Sequence, residues 1–331
     1  MSNAVLVTGG AGYVGSHACK ALARAGYLPV TFDNLERGHA DAVKWGPLVV
    51  GDIRDATAIE RALIEHRPSA VLHFAAYAYV GESVERPADY YANNVFGTAN
   101  LVTACLAKGV SNLVFSSSCA TYGLGSSAPM DEETPQRPIN PYGWTKLAGE
   151  HLISHVGATQ DLRFAILRYF NAAGADGDGD LAERHDPEPH LIPRIIQAAC
   201  GVLPHLDIFG RDYETPDGTC IRDYVHVTDL AEGHVRALDH LLAGGANLTL
   251  NLGSGEGHSV MELVDTAEVV LGRKVPVRFG SRRPGDPASL MADPTRARQL
   301  IGFQTPHSGL REIVESAAKA LNLLDDKALT A

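Results

Sequence analysis

Residues 4–15 read AVLVTGGAGYVG. An apolar run of strand character passes directly into Gly9, Gly12 and Gly15, which have GxxGxxG spacing, and a helix pattern follows. Val14, Ala18, Ala21, Leu22 and Ala25 fall on one face of that helix, so the segment reads as strand, turn and packing helix. Glycines at these places let backbone approach a pyrophosphate, and a helix N-terminus supplies unpaired N–H groups and a favourable dipole. The motif alone is weak. It gains weight from Asp33, which with Asn34 ends the next apolar run about 20 residues on, where a carboxylate accepts hydrogen bonds from ribose hydroxyls and repels a 2′-phosphate. The reading is a dinucleotide site selective for NAD over NADP, with Arg37 the one nearby residue that keeps NADP open.

Working outward, further apolar runs at 30–33, 48–51, 70–74, 113–116 and 164–169 alternate with helical stretches. This rhythm predicts an α/β fold with a doubly wound parallel sheet of Rossmann type. Asp52 and Ile53, and then Phe74, Ala75 and Ala76, end the third and fourth runs, where such a sheet places the adenine and the middle of a dinucleotide; Asp52 could instead cap the next helix. From Asn171 the alternation is lost. The expected division is a dinucleotide-binding domain over 1–170, to which 223–252 returns, and a smaller α/β substrate-binding domain over 171–331.

The chain has 331 residues, 45% of them apolar, and a net charge of −11, which argues against nucleic acid or an anionic membrane as the main partner. No apolar run is long enough to span a bilayer, and the first strand begins almost at Met1, so the expectation is a cytoplasmic protein. The five cysteines are scattered without CxxC pairs and read as reduced thiols, Cys119 as a small filler. The alternating carboxylates of Asp176, Asp178 and Asp180 suggest a calcium loop, but its twelfth position is Pro187 rather than glutamate. His185 and His190 lack partners at helical spacing. No metal is expected.

Two further stretches carry chemistry. Asn140-Pro141-Tyr142-Gly143-Trp144-Thr145-Lys146 reads as a helix cap, a first-turn proline, and a helix with Tyr142 and Lys146 on one face. A phenol is a poor base at neutral pH unless positive charge favours the phenolate, and Lys146 and an oxidised nicotinamide would both supply it. At the end of the fifth run, Ser118 can hydrogen-bond a reacting oxygen and share its proton with Tyr142.

With these residues in place the chain resembles an extended short-chain dehydrogenase/reductase, specifically the UDP-glucose (UDP-galactose) 4-epimerase family. The resemblance runs nearly end to end, through VTGGAGYVGSH at the start, HFAAYAYVGES at 73–83, SSSCATYG at 116–123, PYGWTK at 141–146, LRYFNAAG at 167–174, DGTCIRDYVHVTDLA at 217–231 and RRPGDPASLMAD at 282–293. It implies that tightly held NAD takes hydride from sugar carbon 4 while Tyr142 removes the hydroxyl proton, and that the keto sugar turns over before hydride returns. It also implies cofactor contacts at Tyr13, Val14, Asn93, Tyr142, Lys146 and Phe170. The UDP grip falls to Asn171, Leu191, Ile208, Phe209, Arg222, Arg283 and Asp286, and a homodimer is expected. Arginine suits a pyrophosphate through its fork of fixed-charge donors, although Arg222 could instead partner Asp223 or Asp229.

Two positions depart from some family members. Ala78 stands where a lysine can contact the cofactor, and Leu290 occupies the position associated with substrate size, leaving N-acetylated sugars open. Epimerases of UDP-xylose and UDP-arabinose are the nearest rival reading. A 4,6-dehydratase needs an acid and a base directly after the active-site hydroxyl, where this chain has Cys119 and Ala120, and a non-enzymatic dinucleotide-binding protein would not need Ser118, Tyr142 and Lys146 together.

Overall fold

The computed structural model describes residues 2–124, 129–283 and 286–323. The apolar runs form β1 (Ala4–Thr8), β2 (Leu28–Asp33), β3 (Leu48–Val50), β4 (Ala70–His73), β5 (Asn112–Ser118) and β6 (Arg163–Tyr169). They are followed by β7 (Asn171–Ala173), β8 (Leu206–Phe209), β9 (Ile221–His226), β10 (Leu248–Leu252), β11 (Gly257–Ser259), β12 (Val277–Gly280) and β13 (Ser289–Leu290). Seven strands make one sheet in the order β10-β6-β5-β4-β1-β2-β3, every neighbouring pair parallel.

A parallel sheet is buried on both faces, and its strands therefore need near-continuous apolar sequence. Val5, Val7, Leu72, Val114 and Leu167 pack on one side with the helices Tyr13–Arg24 and Val227–Leu242. On the other side Leu6, Val71, Leu113, Phe115 and Ile166 meet the helices Ala56–His66 and Gly97–Ala107. The chain winds outward from β1 to β3, then resumes at β4 on the opposite flank of β1. That reversal opens a crevice at the carboxyl ends of β1 and β4, where open α/β sheets bind ligands.

The second region has its own core, in which Ile192, Ile195 and Ile196 pack with Leu263, Val264, Ile313 and Val314. Its sheet pairs β9 with β7, β11 and β13, and β8 pairs separately with β12. Within 223–252, the helix Val227–Leu242 and β10 join the main sheet, whereas β9 belongs with the second region. Among the described residues no helix is long and apolar enough to cross a membrane.

Candidate active site

The turn after β1 is built by close approach. Gly9 has a φ of 73°, and a Cβ there would lie 2.6 Å from the Ala75 nitrogen, so any side chain would push β1 and the end of β4 apart. A Cβ at Gly15 would sit 2.1 Å from the Gly9 carbonyl oxygen. The helix Tyr13–Arg24 starts at Gly12 with no side-chain cap and no acid in its first turn. Its free N–H groups and positive dipole end are thus available to an anion.

Asp33 is buried at the end of β2, and its two carboxylate oxygens accept from Ala11 N at 3.0 Å and Leu35 N at 2.9 Å. Burial raises its pKa while these N–H groups oppose the rise. The remaining lone pairs are open to ribose hydroxyls. Arg37 is engaged elsewhere: it clamps Glu82 through two contacts of 2.7 Å and lies over the rings of Tyr77 and Tyr79. It is not a free cation for a 2′-phosphate. Asp52 does not reach the cavity wall, because Arg54 and Asn34 hold its carboxylate, and the helix beyond is capped by Asp55 instead. Asn34, the hydrogen-bond partner of Asp52, and Ile53, adjacent to Asp52, do line the cavity.

The helix Pro141–Thr159 begins as its sequence predicts, with Asn140 Oδ1 accepting from Gly143 N at 2.9 Å. At Gly143 a Cβ would come 2.5 Å from the Ala120 carbonyl oxygen, so glycine lets this helix sit tightly on the turn that follows Ser118. Ser118 Oγ accepts from Ala120 N at 3.1 Å. Tyr142 is buried with Tyr77 and Tyr90. Its pKa lies well above the ordinary phenol value, through burial first and then Tyr169, with the Ser118 hydroxyl opposing. Lys146 donates to the Ser116 carbonyl at 2.8 Å, and burial lowers its pKa to about 8 against the pull of Glu150. Sequence spacing puts Lys146 one turn from Tyr142; the fold leaves the phenol dominated by burial rather than by the ammonium.

Sequence reading missed what supports this pair. Glu150 is buried and accepts from Arg168 Nε at 3.0 Å and Nη2 at 2.7 Å, from Gln136 at 2.9 Å, and from Ser117. That carboxylate steadies the charge on Lys146 from one turn further along the helix. Below it, His73 is buried between Thr8 at 2.6 Å and Thr98 at 2.9 Å. The apolar run at 164–169 carried no signal for a partner of the arginine within it.

On the opposite wall, Arg222 pairs with Asp286, not with Asp223 or Asp229. Asp223 instead accepts from Ser254 N and Oγ, Gly255 N and Ala292 N, and Asp229 accepts from Ser308 and His307 N. Arg283 lies 4.2 Å over the Phe209 ring, and Asn171 donates to the Asp223 carbonyl at 2.9 Å. Leu290 packs beside Tyr122, Met130 and Phe170. Cys119 is a free thiol that burial raises to about 12, inert as expected for a filler.

One cavity of about 1220 Å³ joins these parts, lined from Gly9, Tyr13 and Asp33 through Asn93, Ser118 and Tyr142 to Leu191, Ile208, Arg222 and Asp286. It runs from the glycine turn past Ser118 and Tyr142 and on into the second region. The NAD-dependent epimerase/dehydratase family model matches residues 5–253. The chain belongs to this family. Within it, the chain is 52% identical to the UDP-glucose 4-epimerase of Rhizobium meliloti over 316 residues, 96% of each chain. The structure matches that of UDP-glucose 4-epimerase from Brucella ovis in complex with NAD, at 54% identity and a TM-score of 0.94, covering 96% of this chain and 98% of the other. UDP-glucose 4-epimerase from Stenotrophomonas maltophila, solved with NAD and formylated UDP-arabinopyranose, matches at 42% identity and a TM-score of 0.93 over 96% and 97% of the chains.

Proposed function

We propose that this protein is an NAD-dependent UDP-sugar 4-epimerase that interconverts UDP-glucose and UDP-galactose. The observation that carries the reading is the continuity of one cavity from the glycine turn and Asp33, past Ser118 and Tyr142, to Arg222 and Arg283. Hydride chemistry and a nucleotide-sugar grip share one space.

The glycine turn and the first helix hold the cofactor pyrophosphate, and Asp33 holds its ribose. Bound NAD supplies a hydride acceptor for sugar carbon 4, a donor for the return, and in its oxidised form a positive ring charge. Tyr142 Oη takes the carbon 4 hydroxyl proton as hydride leaves that carbon, while Ser118 Oγ hydrogen-bonds the reacting oxygen. Burial alone disfavours the phenolate, so positive charge close to Tyr142 is required. Arg222 and Arg283 hold the UDP, leaving the keto sugar free to present its other face. Tyr142 then returns the proton, and no net oxidation occurs.

Elimination chemistry is disfavoured. A 4,6-dehydratase needs an acid and a base at Cys119 and Ala120, and one is an un-ionised thiol, the other a methyl group. The five free cysteines fit a reducing, cytoplasmic setting. The exposed Val84, Tyr91, Phe96 and Trp144 on the helical segments 80–96 and 141–159 favour a second copy of the chain as partner.

Chromatography after incubation with UDP-glucose, UDP-xylose and UDP-N-acetylglucosamine side by side tests the reading. UDP-galactose should form without added cofactor and without accumulation of NADH. Conversion of UDP-xylose alone would move the assignment to a pentose epimerase; the Stenotrophomonas relative, itself named a UDP-glucose 4-epimerase, was solved with a formylated UDP-arabinopyranose. No conversion of any sugar after NAD addition would overturn it.

A further inference from the structure

Between β7 and the helix Leu191–Ala199 the chain forms no regular element over 181–190, yet four side chains there converge. Glu183, His185, Glu188 and His190 each offer one ligand atom, and all four atoms lie within 4.8 Å of one another. The sequence argued against a metal at His185 and His190 because helical spacing completes no set. The irregular backbone completes one, by turning residues of mixed spacing to a common point.

Only part of the cluster resolves into ordinary hydrogen bonds, both between His190 and Glu188 Oε1. His190 Nδ1 is 2.8 Å from Glu183 Oε1 and 2.9 Å from Glu188 Oε1, but it hydrogen-bonds only Glu188. His185 Nδ1 is 3.4 Å from Glu183 Oε1 and 3.4 Å from Glu188 Oε2, and hydrogen-bonds neither. Glu183 is 7% exposed at its side chain, and both its Oε1 and His185 Nδ1 are buried with no hydrogen-bond partner. Buried carboxylates are paired, hydrogen-bonded or bound to metal. Among the described residues the ion-pair partners of Glu183 and Glu188 are the two histidines alone. Burial lowers the histidine pKa values but the carboxylates raise them further, that of His190 to about 10, so a metal ion takes this place by displacing their protons.

The other carboxylate cluster shows the contrast. Asp176, Asp178 and Asp180 converge on Lys20 Nζ, at 2.7, 2.8 and 2.8 Å. That cluster carries its own cation within the chain.

We propose that Glu183, His185, Glu188 and His190 bind a divalent first-row transition cation, with Zn²⁺ the best match. Two neutral imidazole nitrogens and two carboxylate oxygens balance a charge of two. Bonds of about 2.0–2.1 Å in a tetrahedron set its ligand atoms about 3.3 Å apart; the four histidine–carboxylate contacts are 2.8–3.4 Å, and the whole set lies within 4.8 Å, so binding draws the ligands together. Calcium and magnesium call for more oxygen donors than the cluster offers. Four protein ligands fill a tetrahedral site, so the ion is structural rather than catalytic. It would fix the 183–190 segment beside Tyr13 and Tyr79, whose rings lie 6.3 and 5.7 Å from that of His185, and so hold the cavity wall that leads into Leu191.

The test is titration of chelator-dialysed holoenzyme with ZnCl₂ by calorimetry and with CoCl₂ by visible absorption. One equivalent should bind, with the intense absorption of tetrahedral Co²⁺, and His185→Ala/His190→Ala should weaken binding by about a hundredfold or more. Asp178→Asn/Asp180→Asn should leave it unchanged. Circular dichroism in the absence of metal checks that each variant is folded, and Glu183→Gln serves in place of the double variant should the latter not fold. Failure of the wild-type protein to bind one equivalent, or equal binding by the histidine variant, would overturn the proposal. So would loss of binding in the aspartate variant.

Discussion

Tyr142 is held where its own environment resists ionisation, since burial, Tyr169 and Cys119 all raise its pKa and only the Ser118 hydroxyl lowers it. A phenol so placed is a useful base only while a cation is close, which couples its reactivity to cofactor binding. Tyr142→Phe keeps the ring packed with Tyr77 and Tyr90 and removes only the oxygen. Turnover should fall by about 10²- to 10⁴-fold, while UDP affinity measured by calorimetry stays within a few fold; a variant retaining most of its turnover would put the proton transfer elsewhere. Tyr142, Lys146 and Ser118 were legible because each lies within a short contiguous signal, a capped helix or a strand end. Glu150 and Arg168 were not, because their pairing joins a helix to a strand and leaves no local pattern. Asp52, expected at the adenine, has its carboxylate held by Arg54 and Asn34 and is not among the residues that line the cavity.

At the scale of elements, the first six strands were readable from their apolar runs because a sheet covered on both faces demands them. The second region was not. Its strands are short, and β9 carries Arg222, Asp223 and His226 in a sequence with little apolar character. What ties it to the first helix is the Lys20 ammonium, which reaches the acidic turn at 176–180. The sequence suggested a calcium loop, and the fold supplies a lysine instead. Lys20 and Asp176 are buried, whereas Asp178 and Asp180 are exposed, so only part of the cluster escapes solvent screening. Lys20→Met should therefore cost about 2–3 kcal/mol, read as a lower midpoint in urea. Unchanged stability would mean that solvent already screens Asp176.

Across the whole molecule, His17, His73, His226 and His234 are buried, and burial is the main cause lowering their pKa values to about 4, 3, 4 and 4. Their ordinary value is near 6.5, so between roughly pH 4 and 6.5 the unfolded chain binds more protons than the folded one. The sign follows: their contribution to stability is present above pH 6.5 and is lost as pH falls through that window. Asp229 acts in the opposite direction, its pKa raised to about 6 mainly by burial, because the folded state then holds a proton that the unfolded state releases. The histidines outnumber it. For these five groups alone, a net difference of roughly two to three protons corresponds to a loss of about 3–4 kcal/mol per pH unit near pH 5. His234 isolates one of these protons, since its Nδ1 faces the Leu230 carbonyl at 2.8 Å and its ring sits against Phe74 and Tyr169. His234→Gln keeps a donor for that carbonyl and cannot titrate. Urea midpoints measured across this range should show its pH slope shallower than wild type by about one proton, roughly 1.4 kcal/mol per pH unit; an unchanged slope would mean that His234 already takes up a proton in the folded state.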